Sequence, residues 1–207
     1  MRKVVGILVC LVLLSCGTGP VQVAKNESEV FKTSYDDPDL ARVYKMNVAA
    51  LEEIYRRYRS AGVDFYFDGI AVTGMKNPKG GMSHFAAIKI RPPQLVFDRL
   101  ASEPENWQMR FDRIVQQEFP RYLKYLKKSD LNLQDIEGFA FGIYWPLRDY
   151  TQCNTYGGCI EYAIVYLYNQ DVADIIEGTK SFVAIAKDRE IVASFNLQPA
   201  KSMKVRQ

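Results

Sequence analysis

The sequence predicts an α+β domain in which an antiparallel sheet of about six strands carries helices on one face. Apolar residues spaced three and four apart indicate helices, and apolar residues spaced two apart indicate strands. A helical segment followed by a hairpin occurs three times in this order, which predicts strands that are antiparallel throughout. We expect a single globular domain over residues 37–198, followed by a frayed tail at 199–207.

The first predicted helix has clear signals at both ends. Asp36 or Asp37 can cap its start, Pro38 suits the first helical position, and Gly62 supplies its end. Between these signals the spacing predicts one apolar face that packs against the rest of the domain. The residues of this face are Leu40, Val43, Tyr44, Asn47, Leu51, Ile54, Tyr55 and Tyr58.

The first hairpin follows this helix directly. Residues 63–73 and 83–91 are rich in strand-forming side chains, and the loop at 76–81 consists of turn residues. His84 is the only histidine of the chain and shares a face with the apolar residues of the second strand. We expect it to be a core or edge residue.

The second unit predicts a longer helix and a central hairpin. The helix spans about 105–128, and Pro120 is expected to kink or split it near Glu118 because proline lacks a backbone donor. The strands cover 139–145 and 159–168, and the second is apolar on both faces, which predicts a central position. The first strand has one bulky face, formed by Phe139, Phe141, Ile143 and Trp145. Its other face is formed by Ala140, Gly142 and Tyr144, and we expect the small residues there to allow a helix to approach closely.

The third unit is predicted to repeat the same order on a smaller scale. A short helix covers residues 172–177, and Gly178 ends it. Residues 182–186 and 191–195 flank a polar turn at 187–190, and this arrangement predicts a third hairpin.

The N-terminus carries an export signal. Arg2 and Lys3 precede an apolar run of about a dozen residues, which is typical of a signal peptide and too short for a stable transmembrane helix. Leu13-Leu14-Ser15-Cys16 resembles the lipobox of bacterial lipoproteins. This resemblance implies cleavage after residue 15, a diacylglyceryl group on the Cys16 sulfur, and acylation of its amine, with palmitate as the expected acid.

The resemblance also implies a location in the cell envelope. Residue 17 is glycine, whereas an aspartate there is the familiar inner-membrane retention signal, so we expect an outer-membrane anchor facing the periplasm. Residues 16–36 then form the lipidated N-terminus and a flexible tether with a span of roughly 25 Å. The alternatives are an ordinary secreted protein or a short uncleaved anchor, in which Cys16 is merely an apolar residue.

Charge and cysteine content limit the possible partners and cofactors. Without Arg2 and Lys3 the mature chain has 25 basic and 24 acidic residues, so no basic excess indicates nucleic-acid binding. Cys153 and Cys159 form an even pair that predicts a disulfide in an oxidising compartment. Zinc is a poor alternative because the chain has one histidine, and we expect neither a metal nor another cofactor.

No catalytic or ligand-binding motif is recognisable in the sequence. The best enzymatic candidates are the carboxylates Glu161, Asp64 and Asp68, of which a buried Glu161 could act as a general acid in a hydrolase of envelope glycan. The alternatives for Glu161 are an ion pair with a lysine or arginine, or a position in a wet cleft at the rim of the sheet. A lipid-binding carrier is a third possibility, and it requires an apolar cavity under the sheet.

Tyrosines around the second hairpin suggest a binding surface. Tyrosine is typical of contact surfaces because it provides a large area with little loss of entropy. Whether this face is surface or core stays open in the sequence. The leading hypothesis is a lipid-anchored envelope protein whose domain binds or scaffolds an envelope protein or glycan, through Tyr156, Tyr162, Tyr166 and Tyr168.

Overall fold

One six-stranded sheet forms the centre of the molecule. The computed structural model describes residues 22–76, 81–93, 95, 97, 106–146, 160–195 and 200–205. The strands lie side by side in chain order. They are β1 Asp64–Lys76, β2 Met82–Arg91, β3 Gly138–Pro146, β4 Ile160–Tyr168, β5 Ile191–Ser194 and β6 Lys201–Met203.

Helical segments connect these strands and precede them. A π-helical turn, Ile114–Glu118, joins two of the helices, and a 3₁₀ helix, Lys128–Asn132, comes shortly before β3. None of the helices in the described ranges is both long and apolar enough to cross a membrane. The α-helices are α1 Glu27–Val30, α2 Pro38–Ser60, α3 Trp107–Arg113, α4 Phe119–Leu123, α5 Asn169–Glu177 and α6 Phe182–Ala186.

The α+β class is confirmed, but the prediction of an antiparallel sheet is wrong because β2 and β3 are parallel. The other neighbouring strands are antiparallel. Between β2 and β3 the chain passes through α3 and α4, and a helical connection of this length can carry it back to the end of the sheet at which β2 began. The hairpins β1–β2 and β3–β4 show the predicted antiparallel pairing. The relative direction of β2 and β3 depends on the connection between them.

The threefold repeat of helix and hairpin is also wrong. Residues 182–186 form α6 instead of a strand, and the Ser181 side chain accepts a hydrogen bond from the Ala184 N–H at its start. A five-residue apolar run does not distinguish a strand from a buried helical turn by periodicity. The partner of β5 on its other side is β6, which lies in the segment predicted as a frayed tail.

Helix α2 matches its prediction closely. It begins at Pro38, and the Asp37 side chain accepts a hydrogen bond from the Asp39 N–H. Its predicted apolar face is buried except for Leu40, which is half-buried. The predicted irregularity before Pro120 is the π-helical turn, which lies where proline removes a helical backbone donor.

The two faces of the sheet differ in what covers them. Each face carries a cluster of buried apolar side chains. The larger cluster includes side chains from all six helices, so we call its face the helix-covered face. In the described residues, the second cluster consists of side chains from the strands and of Val23. The expected close approach of a helix to Ala140 and Gly142 is therefore wrong, because the helices pack on the bulky face. We call the other the tyrosine face, with these members: Tyr66, Ala71, Phe85, Ala87, Ala140, Tyr144, Tyr162, Ile164, Tyr166 and Tyr168.

The folded part of the chain begins earlier than predicted. The Ala24 N–H donates to the Phe65 carbonyl at 3.0 Å, and the Lys32 N–H donates to the Ile70 carbonyl at 2.9 Å. Val30 is buried in the helix-covered core. The prediction of a flexible tether over residues 16–36 is therefore wrong for 22–36, which lie along the outer edge of β1.

A β-bulge interrupts β1 close to this N-terminal segment. The pairing with β2 shifts between Phe65 and Ile70, and Asp68 has a φ of 51°. The alternation of a regular strand is lost here, because Phe65 and Tyr66 are both buried while Phe67 is 54% exposed. The bulge thus places a phenylalanine ring in solvent at the edge of the sheet.

Candidate functional site

Glu161 lies in a buried ion pair with Arg110. Glu161 is on β4, on the helix-covered face, and Arg110 reaches it from α3; both are fully buried. Arg110 Nε donates to Glu161 Oε2 at 2.7 Å, and Arg110 Nη2 donates to Oε1 at 2.6 Å. Trp145 Nε1 on the paired strand also donates to Oε2, at 3.0 Å. Both carboxylate oxygens therefore accept hydrogen bonds from neighbouring side chains.

Aromatic rings enclose this ion pair. The Phe195 ring centroid lies 5.9 Å from the Arg110 guanidinium carbon and 5.8 Å from the Trp145 ring centroid. A charge in such surroundings is costly unless it is paired and hydrogen-bonded, and here the guanidinium and the carboxylate meet that requirement for each other. The arrangement favours the structural role for Glu161, because Arg110 and Trp145 engage both carboxylate oxygens and the residue is fully buried.

The three candidate carboxylates do not converge on one cleft. Asp64 lies opposite Arg91 in the register of β1 and β2. Its neighbour Phe65 faces the helices, and successive side chains of a strand point to opposite faces, so Asp64 points away from the face that holds Glu161. Two strands separate β1 from β4, a lateral distance of roughly 14 Å. Asp64 forms an ion pair with Arg59, and Asp68 lies in the bulge. This placement gives no support to a paired-carboxylate hydrolase.

The tyrosine face contains rings that contact one another between neighbouring strands and also across an intervening strand. The Tyr144 ring centroid lies 5.1 Å from that of Tyr66 and 5.0 Å from that of Tyr162, on which it stacks. Tyr166 is 7% exposed and meets Phe85 edge to face at 5.5 Å. Tyr166 is therefore a core residue rather than a free contact.

Two of the predicted binding tyrosines keep part of their surface. Tyr162 and Tyr168 are half-buried. Tyr168 also meets Phe85, and the Arg189 guanidinium carbon lies 5.5 Å from its ring centroid. Three other predicted sites lie outside the described residues: Tyr156, the cysteine pair Cys153 and Cys159, and the lipidation site Cys16.

His84 belongs to a polar cluster at the start of α2 that we did not predict from the sequence. Its Nε2 lies 3.1 Å from Asp39 Oδ2, and its Nδ1 lies 3.3 Å from the Asp135 carbonyl oxygen. Arg42 bridges the same two aspartates, and its hydrogen bond to Asp39 lowers the pKa of that carboxyl. Asp39 lies in the first turn of α2, whereas Asp135 is almost one hundred residues further along the chain, so only the fold brings the two together. The cluster joins α2 to the segment before β3.

A groove with a volume of about 620 Å³ lies beside α4, α5 and α6. Its wall is largely apolar, with two lysines, of which Lys180 is paired with Asp174 at 2.7 Å. Glu161 and the candidate tyrosines are not among the residues that line it. These residues are Gln116, Pro120, Lys124, Leu126, Ile175, Ile176, Gly178, Lys180, Ser181, Phe182 and Val183.

Neither a metal-binding group nor a match to a known protein indicates a further site in the described part of the chain. Among the described residues, no three His, Cys, Asp or Glu side chains are grouped so that they could hold a metal ion. Comparisons with protein-family models, with curated proteins and with solved structures gave no match. Any functional argument therefore rests on the residues of this chain.

Arg110 is the ion-pair partner of Glu161 that sequence reasoning did not name. It lies three residues after Trp107 and four before Ile114, a spacing that places all three on one face of the predicted helix. A basic residue on a buried stripe needs a buried acid, and Glu161 on a predicted central strand was the available partner. The signal was present, although only the fold could join the two.

Proposed function

We propose that this chain is a lipid-anchored protein of the cell envelope whose α+β domain binds or scaffolds another envelope component, a protein or a glycan. Residues 1–15 direct export, and Cys16 carries the lipid that holds the domain at the outer membrane, facing the periplasm. The observation that carries the proposal is the early start of the fold. Gln22 already contacts β1 through its carbonyl, so the domain begins six residues after the proposed anchor.

This short connection supports a function at the membrane surface. Six extended residues span at most about 20 Å, so a domain held by Cys16 stays close to the lipid headgroups. A binding or scaffolding role requires only that a surface of the domain be presented there. A hydrolase would also require converging carboxylates, whereas Glu161 is engaged by Arg110 and lies on the opposite face from Asp64.

The proposed contact surface combines Tyr156 with the half-buried Tyr162. β3 ends at Pro146 and β4 begins at Ile160, so the connection that contains Tyr156 leaves and rejoins the sheet at one end. Tyr162 is two residues from that end and keeps part of its surface. A disulfide between Cys153 and Cys159 would restrict the connection and reduce the entropy lost on binding.

The anchor is tested by a pair of cysteine variants expressed in bacteria. We expect the mature wild-type protein to begin at Cys16 with acyl groups by mass spectrometry, to stay in membranes at high salt, and to be released by detergent. Cys16→Ser should abolish lipidation, whereas Cys10→Ser should change nothing because residue 10 leaves with the signal. A mature chain that begins at another residue would refute the anchor.

The binding surface is tested by photo-crosslinking in intact cells. A photoreactive phenylalanine analogue at position 156 or 162 should give a discrete crosslinked product, and the same analogue at Met109, which is 51% exposed on α3, should not. Crosslinks that are equal at all three positions, or absent at 156 and 162, would contradict the proposed surface. Mapping under non-reducing conditions should recover Cys153 and Cys159 in one linked peptide.

A further inference from the structure

Phe67 is an exposed aromatic ring at the point where the N-terminal segment joins the sheet. The Phe67 N–H donates to the Gln22 carbonyl at 2.8 Å, and Val23 forms a bridge with Tyr66, so residues 22–24 pair antiparallel with 65–67. The ring is 54% exposed, the highest value among the large apolar side chains exposed in the described residues. Gln22 and Phe67 are therefore direct neighbours across the edge of β1.

The number of residues between Cys16 and this edge sets a strict limit on distance. Gln22 lies within about 20 Å of Cys16 when the connection is fully extended, and a flexible connection of this length has an r.m.s. span of roughly 13 Å. The headgroup layer on one side of a bilayer is about 5–7 Å deep. A lipid on Cys16 would thus hold the Phe67 ring within reach of the boundary between headgroups and acyl chains.

The charges near the bulge allow such an approach. Asp64 is paired with Arg59, and Arg91 lies opposite Asp64 on β2, so the carboxylate at the start of β1 has basic neighbours. Asp68 in the bulge is partly buried. Along the same edge the N-terminal segment carries Lys25 and Lys32 beside Glu27 and Glu29, so the edge presents charges of both signs to the lipid surface rather than a block of negative charge.

We infer that Phe67 is a second membrane contact, whose ring enters the headgroup boundary of the bilayer in which Cys16 is anchored. The inference rests on the proposed lipid anchor and goes beyond it, because it gives the domain a fixed orientation. The β1 edge faces the lipid, and the opposite edge of the sheet, at β6, faces away. An aromatic ring at this depth gains from burial while the polar backbone around it stays hydrated.

The test places a fluorescent reporter at Phe67 in the full lipidated protein. Phe67→Trp and the control Met109→Trp are reconstituted in vesicles of phosphatidylcholine with brominated or ordinary acyl chains. The signal of Trp107 and Trp145, measured in the unsubstituted protein, is subtracted. We expect the added tryptophan at position 67 to be blue-shifted and to lose fluorescence in brominated vesicles, and the one at position 109 to keep its fluorescence.

The outcomes separate this contact from the anchor itself. Protein that fails to float with the vesicles would refute the anchor and the orientation together. Protein that floats but shows equal loss of fluorescence at positions 67 and 109, or none at 67, would overturn the Phe67 contact and leave the anchor standing. Because the Phe67 ring is exposed, both variants should fold, as unfolding curves matching those of the unsubstituted protein would confirm.

Discussion

The two faces of the sheet are stabilised by different kinds of buried side chains. The helix-covered face combines aliphatic and phenylalanine side chains with one fully buried ion pair, Arg110 and Glu161. The tyrosine face combines alanines with rings that contact one another across strands. On the first face the two charges of this ion pair stabilise each other, whereas the second face keeps Tyr162 partly accessible. We therefore expect truncation of a fully buried ring on the first face to cost more stability than truncation of the half-buried Tyr162 on the second.

The largest effect is expected from removing one member of the buried ion pair. Arg110→Met or Glu161→Met should each lower the free energy of unfolding by about 3–5 kcal/mol, because the remaining charge stays buried without its partner. The double variant should recover much of this loss, since two apolar side chains of similar size leave no unpaired charge. Urea denaturation of the four proteins measures the coupling.

This experiment also decides between the two roles of Glu161. A structural ion pair gives a large positive coupling in the double-mutant cycle. Single variants that retain wild-type stability would contradict the ion pair. If they also lost a glycan-hydrolysing activity, that result would restore the carboxylate hypothesis.

A matched pair of truncations compares the faces directly. Phe141→Ala on the helix-covered face should cost about 3–5 kcal/mol, because the ring is fully buried against Tyr58 and Phe119 and its loss leaves a cavity. Tyr162→Ala on the tyrosine face should cost only about 1 kcal/mol, chiefly the lost stacking on Tyr144. Equal costs from urea denaturation would contradict the proposed difference and count against Tyr162 as a contact residue.

The local parts of this fold were predictable because their signals lie within a few residues of one another. The cap at Asp37 and the spacing from Val43 to Tyr58 define α2, and the alternation in 139–145 defines β3. The break before Pro120 follows from the missing backbone donor of one residue. In these segments neighbouring residues are sufficient to determine the secondary structure.

The errors concern arrangements that depend on long-range contacts. The parallel pairing of β2 with β3 depends on how the helical connection crosses the sheet, and α6 differs from a strand only through its packing. The polar segment around Asn26 has little apolar periodicity, so its docking on β1 through backbone hydrogen bonds left no sequence signal. Glu161 was identified as a buried carboxylate with two possible roles, and only the position of Arg110 favours one of them.

Ionisation of a buried tyrosine should weaken the tyrosine face at high pH. Burial raises the pKa of Tyr66, on the tyrosine face, from 10.0 to about 12. Because the folded state holds this proton more tightly than the unfolded state, its contribution is fully present below pH 10 and is lost as the pH rises to 12. Tyr66→Phe should therefore remove on the order of 2 kcal/mol of the stability loss over that interval. Burial also raises the pKa of Tyr58 in the helix-covered core, so Tyr58→Phe should likewise reduce the stability loss above pH 10. An unchanged pH profile in Tyr66→Phe would show that Tyr66 ionises as readily as a solvated phenol.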